Sequence, residues 1–141
     1  MENLIGGYML FARKIIEEDL NSKSEEDIIS ELRELPQVKE AVDKINGENK
    51  TAVLLQKDSQ NYMVIGGGQN AKYAVYALLK GKKYFMANKC DVYKDPVELI
   101  VAGKKGHYPS KRCLNLQMVL EAAKHFADRG ALAQTFNWET Q

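Results

Sequence analysis

Between Thr51 and Cys113, turn residues interrupt the chain about every ten positions, and that spacing limits the kind of sheet it can build. A parallel neighbour needs a crossover of about a dozen residues or more, whereas antiparallel strands close through short turns. Five or six short apolar runs result: Thr51–Gln56, Tyr62–Gly66, Lys72–Leu79, Lys83–Ala87, Val97–Ala102 and His107–Cys113. They predict an antiparallel meander. In the third run Tyr73, Val75, Ala77 and Leu79 share one face, and Ala74, Tyr76 and Leu78 share the other. Both faces are apolar, so each needs a cover: helices for one, an internal or foreign surface for the other.

The flanks carry helical periodicity instead. Leu116, Val119, Leu120, Ala123, Phe126 and Ala127 fall on one stripe, and Gln117, Glu121, Lys124, Asp128 and Arg129 face away. Asn115 is a suitable N-cap, and Arg129-Gly130 is a cation followed by a residue at ease in the left-handed region. Ahead of the strands, Ser24 with Asp27 three residues on forms a capping box for a predicted helix with Ile28, Ile29, Leu32 and Leu35 as its stripe, stopping at Pro36. Val38, Ala41, Val42 and Ile45 predict a second, weaker helix ending at Asn46-Gly47. Tyr8 to Ile16 fits a helix or a strand. The fold class is therefore α+β, with N-terminal helix or helices, a meander of five to six strands, and a C-terminal helix packed on the sheet. Trp138, the only tryptophan, lies on a terminal tail that would fray unless it docked on the body, which reads as a core-plugging aromatic, with a place on a partner-binding surface as the alternative.

At 141 residues the chain is read as one domain, 1–141, able to bury a core without disulfide or metal support. Its 45% apolar and 28% charged content is that of an ordinary globular protein. No apolar run reaches bilayer length, and MENLIGGYML lacks the leading lysines of an export signal. Cys90 and Cys113 have no CxxC spacing and are read as free thiols in a reducing cytoplasm. The net charge of +1 hides an asymmetry: residues 1–50 carry 12 acids against 7 bases, and residues 51–141 carry 7 against 13. Such a split bears on partners rather than on fold.

Catalytic parts are missing from the pattern. His107 and His125 have no ligand partners at metal spacing, and Cys113 has only Lys111 and Arg112 nearby to activate it. Gly66-Gly67-Gly68 is neither a Walker loop nor a dinucleotide fingerprint, because a strand-like segment follows it; it reads as a hairpin turn or bulge. No cofactor or metal is expected. Lys80, Lys82, Lys83, Lys104, Lys105, Lys111 and Arg112, interleaved with Tyr84, Phe85 and Tyr108, leave one alternative, a nucleic-acid-binding module, against which the acidic first third argues.

The C-terminal segment carries a resemblance. Leu116, Leu120 and the pair Ala122-Ala123, then Phe126 and Gly130, then Trp138 near the end resemble the first-numbered immunity protein family of bacterial polymorphic toxin systems. Contact-dependent growth inhibition immunity proteins form the wider class. The chain departs from the family pattern where members commonly place a proline after the glycine; Ala131-Leu132-Ala133 stands there. The resemblance implies a cytoplasmic, non-catalytic inhibitor that binds the C-terminal domain of a cognate toxin, often a nucleic-acid-targeting one, with neither membrane nor nucleic acid as a direct partner. An acidic surface of Asp27, Glu31 and Glu34 would then meet a basic toxin groove, with Tyr84, Tyr93 and Tyr108 as anchors. Phe126, Gly130 and Trp138 would be structural.

Overall fold

Alternating burial carries the middle of the chain into strands, in the α+β arrangement expected. The computed structural model describes residues 9–18, 27–88 and 95–140. In chain order the elements are β1 (Lys14–Glu17), β2 (Ile28–Glu31), helix α1 (Pro36–Asp43), β3 (Ala52–Asp58), β4 (Asn61–Gly67), β5 (Tyr73–Leu79), β6 (Lys82–Ala87), β7 (Val97–Val101), β8 (Lys104–Tyr108), helix α2 (Leu116–Arg129) and β9 (Asn137–Thr140). Strands β3 to β6 form the meander. Strands β1 and β2 extend it at one edge and β9 closes the other, giving a seven-stranded antiparallel sheet of order β2-β1-β3-β4-β5-β6-β9. Strands β7 and β8 stand apart as a two-stranded hairpin.

Both helices cover one face. Val53, Leu55, Met63, Ile65, Val75 and Ala77 from the sheet meet Val38, Ala41 and Val42 of α1 and Val119, Ala123 and Phe126 of α2 in one buried cluster. Helix α2 has the limits its stripe implies: the Asn115 side chain accepts from the Met118 N–H at 2.9 Å, and Gly130 closes it at φ +66°. Gly130 is doubly constrained, since a Cβ there would come within 2.3 Å of the Phe11 ring. That ring packs edge-on against Phe126, with centroids 5.6 Å apart.

The β7–β8 hairpin covers part of the opposite face, lying over β4 and β5. The glycine run makes this possible. Gly66 has no side chain where Val101 sits; a Cβ would fall 2.4 Å from Val101 Cγ1. Gly67 and Gly68, at φ +103° and +95°, then turn the chain toward β5. Two side chains tether the hairpin by its backbone: Gln69 Oε1 accepts from the Ile100 N–H at 3.1 Å, and Thr51 Oγ1 accepts from the Gly103 N–H at 2.9 Å. Thr51 is itself fully buried and bonds Glu18 through both its amide and its hydroxyl.

Two segments differ from the sequence-based expectation, and a third, left open between helix and strand, is resolved. Ser24 lies outside the described residues, but Ile28–Glu31 is a strand paired with β1, not part of a helix. Adjacent β-branched isoleucines favour an extended chain, and the open edge of β1 gives them a partner. Pro36 consequently opens α1 rather than ending its predecessor, a position where its missing N–H costs nothing. The predicted strand His107–Cys113 starts earlier, at Lys104, and stops before Pro109, after which Ser110–Arg112 forms a 3-10 turn. Of the ambiguous first segment, Lys14–Ile16 is strand and Tyr8 lies outside the described residues.

Candidate partner-binding surfaces

Strand β2 supplies an acidic, apolar edge. Ile28 and Ile29 are 44% and 63% exposed; with Met9 they are the exposed large hydrophobic residues among those described. Asp27, Glu31 and Glu34 are exposed around them. The expected acids thus lie along a sheet edge and the loop beyond it rather than on a helix face. The Leu32 N–H donates to the Arg13 carbonyl at 2.9 Å, which sets the hydrogen-bonding parity of the strand pair. In an antiparallel ladder, Ser30 then bonds toward β1, while Ile29 and Glu31 turn N–H and C=O to the free edge. Consistent with that parity, the outward Glu31 carbonyl accepts from Gln37 Nε2 at 3.0 Å. Gln37 Oε1 takes the Arg33 and Glu34 amides, so one side chain braces the loop between β2 and α1. The exposed Arg33–Glu31 pair, 3.2 Å apart, contributes little in solvent.

A basic-aromatic strip lies at the other side of the sheet, on the face that carries the hairpin. Lys83 Nζ sits 4.3 Å from the Tyr76 ring centroid and Arg112 4.3 Å from that of Phe85. Tyr108, half-buried on β8, belongs to the same region, and its proximity together with Tyr62 adds to the burial that raises the Tyr76 hydroxyl pKa. The cations at the rim are already engaged. Glu139 on β9 binds Lys111 at 2.6 Å and Arg112 at 2.8 Å, and these contacts hold its carboxyl below the usual carboxylate range.

Tyr84 is elsewhere. It shares the helix-covered face with Ala77 across β5 and lines a cleft of about 460 Å³ with Phe11, Leu79, Lys82 and Gly130. Tyr84 and Tyr108 therefore lie on opposite sides of the sheet, and Tyr93 lies outside the described residues. From β2 to β6 is five strand spacings, about 24 Å, so the acids and Tyr84 do not form one compact patch. Phe126 is fully buried, and Trp138 is half-buried on β9 opposite Met86, its Nε1 donating to the Ala133 carbonyl at 2.9 Å. The sequence pattern passed over Ile28, Ile29 and Gln37 as edge residues. Adjacent β-branched residues were the available signal for the first two, and nothing local marks the third.

The chemistry available at the thiol is weak. Burial pushes the Cys113 thiol up from its ordinary value, which keeps it protonated at neutral pH. His107 is exposed on β8 across from Glu98, and no group of three or more potential metal ligands occurs among the described residues. No helix among them is long and apolar enough to cross a membrane.

A search of curated proteins gave no match. A family model described as Immunity protein Imm1 matches residues 29–140, which takes in the strand edge at β2, the meander, the hairpin, the closing helix and the β9 tail, and the chain belongs to that family of immunity proteins.

Proposed function

We propose that this immunity protein binds the C-terminal domain of a cognate toxin in the cytoplasm and blocks its active site or substrate groove, with no catalysis of its own. Membership of an immunity family gives it a toxin as protein partner. The observation that carries the mode of action is the β2 edge, where exposed isoleucines stand among Asp27, Glu31 and Glu34. Exposed isoleucines, one on each face of the strand, beside carboxylates of which Glu31 is paired with Arg33, suit a partner that brings basic groups to an apolar contact, as a toxin that holds nucleic acid would. Acids on the inhibitor would stand in for phosphates and speed encounter. A protonated Cys113 thiol fits an inhibitor better than a nucleophilic enzyme.

The test is to take the reading frames next to this gene and find the one whose product carries a toxic C-terminal domain. The chain should bind it and abolish its activity at equimolar ratio. Exchanging Glu31 and Glu34 for lysine should lower the association rate about ten-fold at low salt and flatten its salt dependence. Unchanged kinetics would move the contact away from this edge. The nucleic-acid alternative predicts steeply salt-dependent binding to single-stranded RNA or DNA. The Glu139 carboxylate already neutralising Lys111 and Arg112 weighs against it.

A further inference from the structure

We infer that the β2 edge receives a strand: a basic, extended segment of the partner adds to the sheet alongside Ile28–Glu31, pairing main chain to main chain. The inference rests on the toxin-binding reading above and specifies how the partner is held. Three observations meet at this edge. Among the described residues β2 ends the sheet, and its parity turns the Ile29 N–H and C=O and the Glu31 N–H outward. Its side chains offer both elements of strand addition, apolar grip from Ile28 and Ile29 and charge selection from Asp27, Glu31 and Glu34. Edge strands are ordinarily blunted by lysine, proline or a bulge, and β2 carries none of these.

Gln37 sets the limit of the docked strand. By occupying the Glu31 carbonyl it closes the ladder beyond that residue, so the incoming segment pairs from the Glu31 N–H toward Asp27. The same geometry disfavours a second copy of this chain. Antiparallel self-pairing centred on Ile29 sets Asp27 opposite Glu31, a like-charge pair at each end. Pairing centred on Ser30 needs the Glu31 carbonyl that Gln37 holds. A partner that ends its pairing at the Glu31 N–H and brings lysine or arginine beside Asp27 and Glu31 meets neither obstacle.

The test uses the full chain and the toxin domain that the functional test above identifies. Ile29→Pro removes one outward donor while leaving the bonds from Ser30 to β1, and proline is tolerated at such edge positions. Ile29→Thr keeps the donor and most of the strand propensity. Strand addition predicts affinity lowered about 10- to 100-fold by proline, on the scale of one buried unmet hydrogen bond plus a blocked approach, and several-fold at most by threonine. Equal affinity of the proline variant and wild type overturns the inference, as does an equal loss from both substitutions. Amide exchange on the wild-type complex gives an answer independent of any variant: the Ile29 and Glu31 amides should gain protection on binding, and unchanged exchange there refutes strand pairing. Sedimentation of the free chain as a dimer with those amides protected would assign the edge to a second copy and overturn it too. If the wild-type chain fails to bind or neutralise the toxin domain, the functional reading itself falls. If it neutralises normally with unprotected edge amides, only the strand inference does.

Discussion

Replacing Gly130 with alanine tests how the C-terminal end of α2 is held against the body of the protein. Two independent penalties arise from one methyl group. The backbone sits at φ +66°, where an L-residue with a Cβ loses roughly 1–2 kcal/mol. The Cβ would also approach the Phe11 ring to 2.3 Å, well inside contact distance. Phe11 has little room to retreat along the chain, because its N–H donates to the Asp128 carbonyl at 3.3 Å and the next amide, Ala12, donates to Ala127 at 3.0 Å. The ring must therefore swing, giving up its edge-on contact with Phe126, worth about 0.5–1.5 kcal/mol, and the Lys57 ammonium above it, worth about 0.5–1 kcal/mol. The expected loss is about 2–4 kcal/mol, which lowers Tm by roughly 6–12 °C for a domain of this size. Chemical and thermal denaturation of Gly130→Ala measure it directly. Gly130→Asn separates the terms, since asparagine tolerates the left-handed region but still carries a Cβ. In a Phe11→Leu background the alanine penalty should shrink toward the backbone part alone. A Gly130→Ala protein within about 0.5 kcal/mol of wild type would refute the reasoning at both levels.

Other elements give equally specific expectations. Truncation after Gln134 removes β9 with Trp138 and Glu139, and should cost about 3–5 kcal/mol in denaturant melts; an unchanged midpoint would mean the tail contributes nothing. Because Glu139 is held below its ordinary pKa by Lys111 and Arg112, its contribution is present above the unfolded carboxyl range near 4.5 and is lost as pH falls through the folded value. Glu139→Gln should accordingly destabilise the protein at pH 7, and the gap to wild type should close on acidification, read from melts at stepped pH. Ala102 holds φ +53° in the turn before Gly103, so Ala102→Gly or Ala102→Asn should raise stability by about 0.5–1 kcal/mol, measured by the same melts.

The two ends of the chain differed in how far they could be read. Helix α2 was legible to the residue because its stripe, its Asn115 cap and its Gly130 stop are local signals that agree, and tertiary packing had nothing to override. The meander was legible from its turns. So was the need for two covers, met by the helices on one face and by the hairpin over part of the other. Strand β2 was not legible, because Ile28, Ile29, Leu32 and Leu35 after Ser24 and Asp27 satisfy a helical template while pairing with β1 decides the outcome. For so short a segment, the long-range partner outweighs the local pattern. The hairpin start at Lys104 was hidden by Ala102, since alanine gives no hint of a left-handed turn. Of the candidate contact residues, Asp27, Glu31 and Glu34 lie along one edge and the loop beyond it, while strand parity places Tyr84 and Tyr108 on opposite sides, and parity depends on register that composition does not encode.

The β7–β8 hairpin is fastened almost wholly by parts that side-chain substitution on its outer surface leaves alone: the gap at Gly66, the amides of Ile100 and Gly103, and the inward residues Leu99 and Val101. Its outward row of Glu98, Ile100, Lys105 and His107 is therefore free to change identity while the platform stays in place. Such a display lets a new surface chemistry arise without first re-solving the fold. The same separation makes those four positions a natural place to graft or randomise side chains when a new binding preference is wanted on this scaffold.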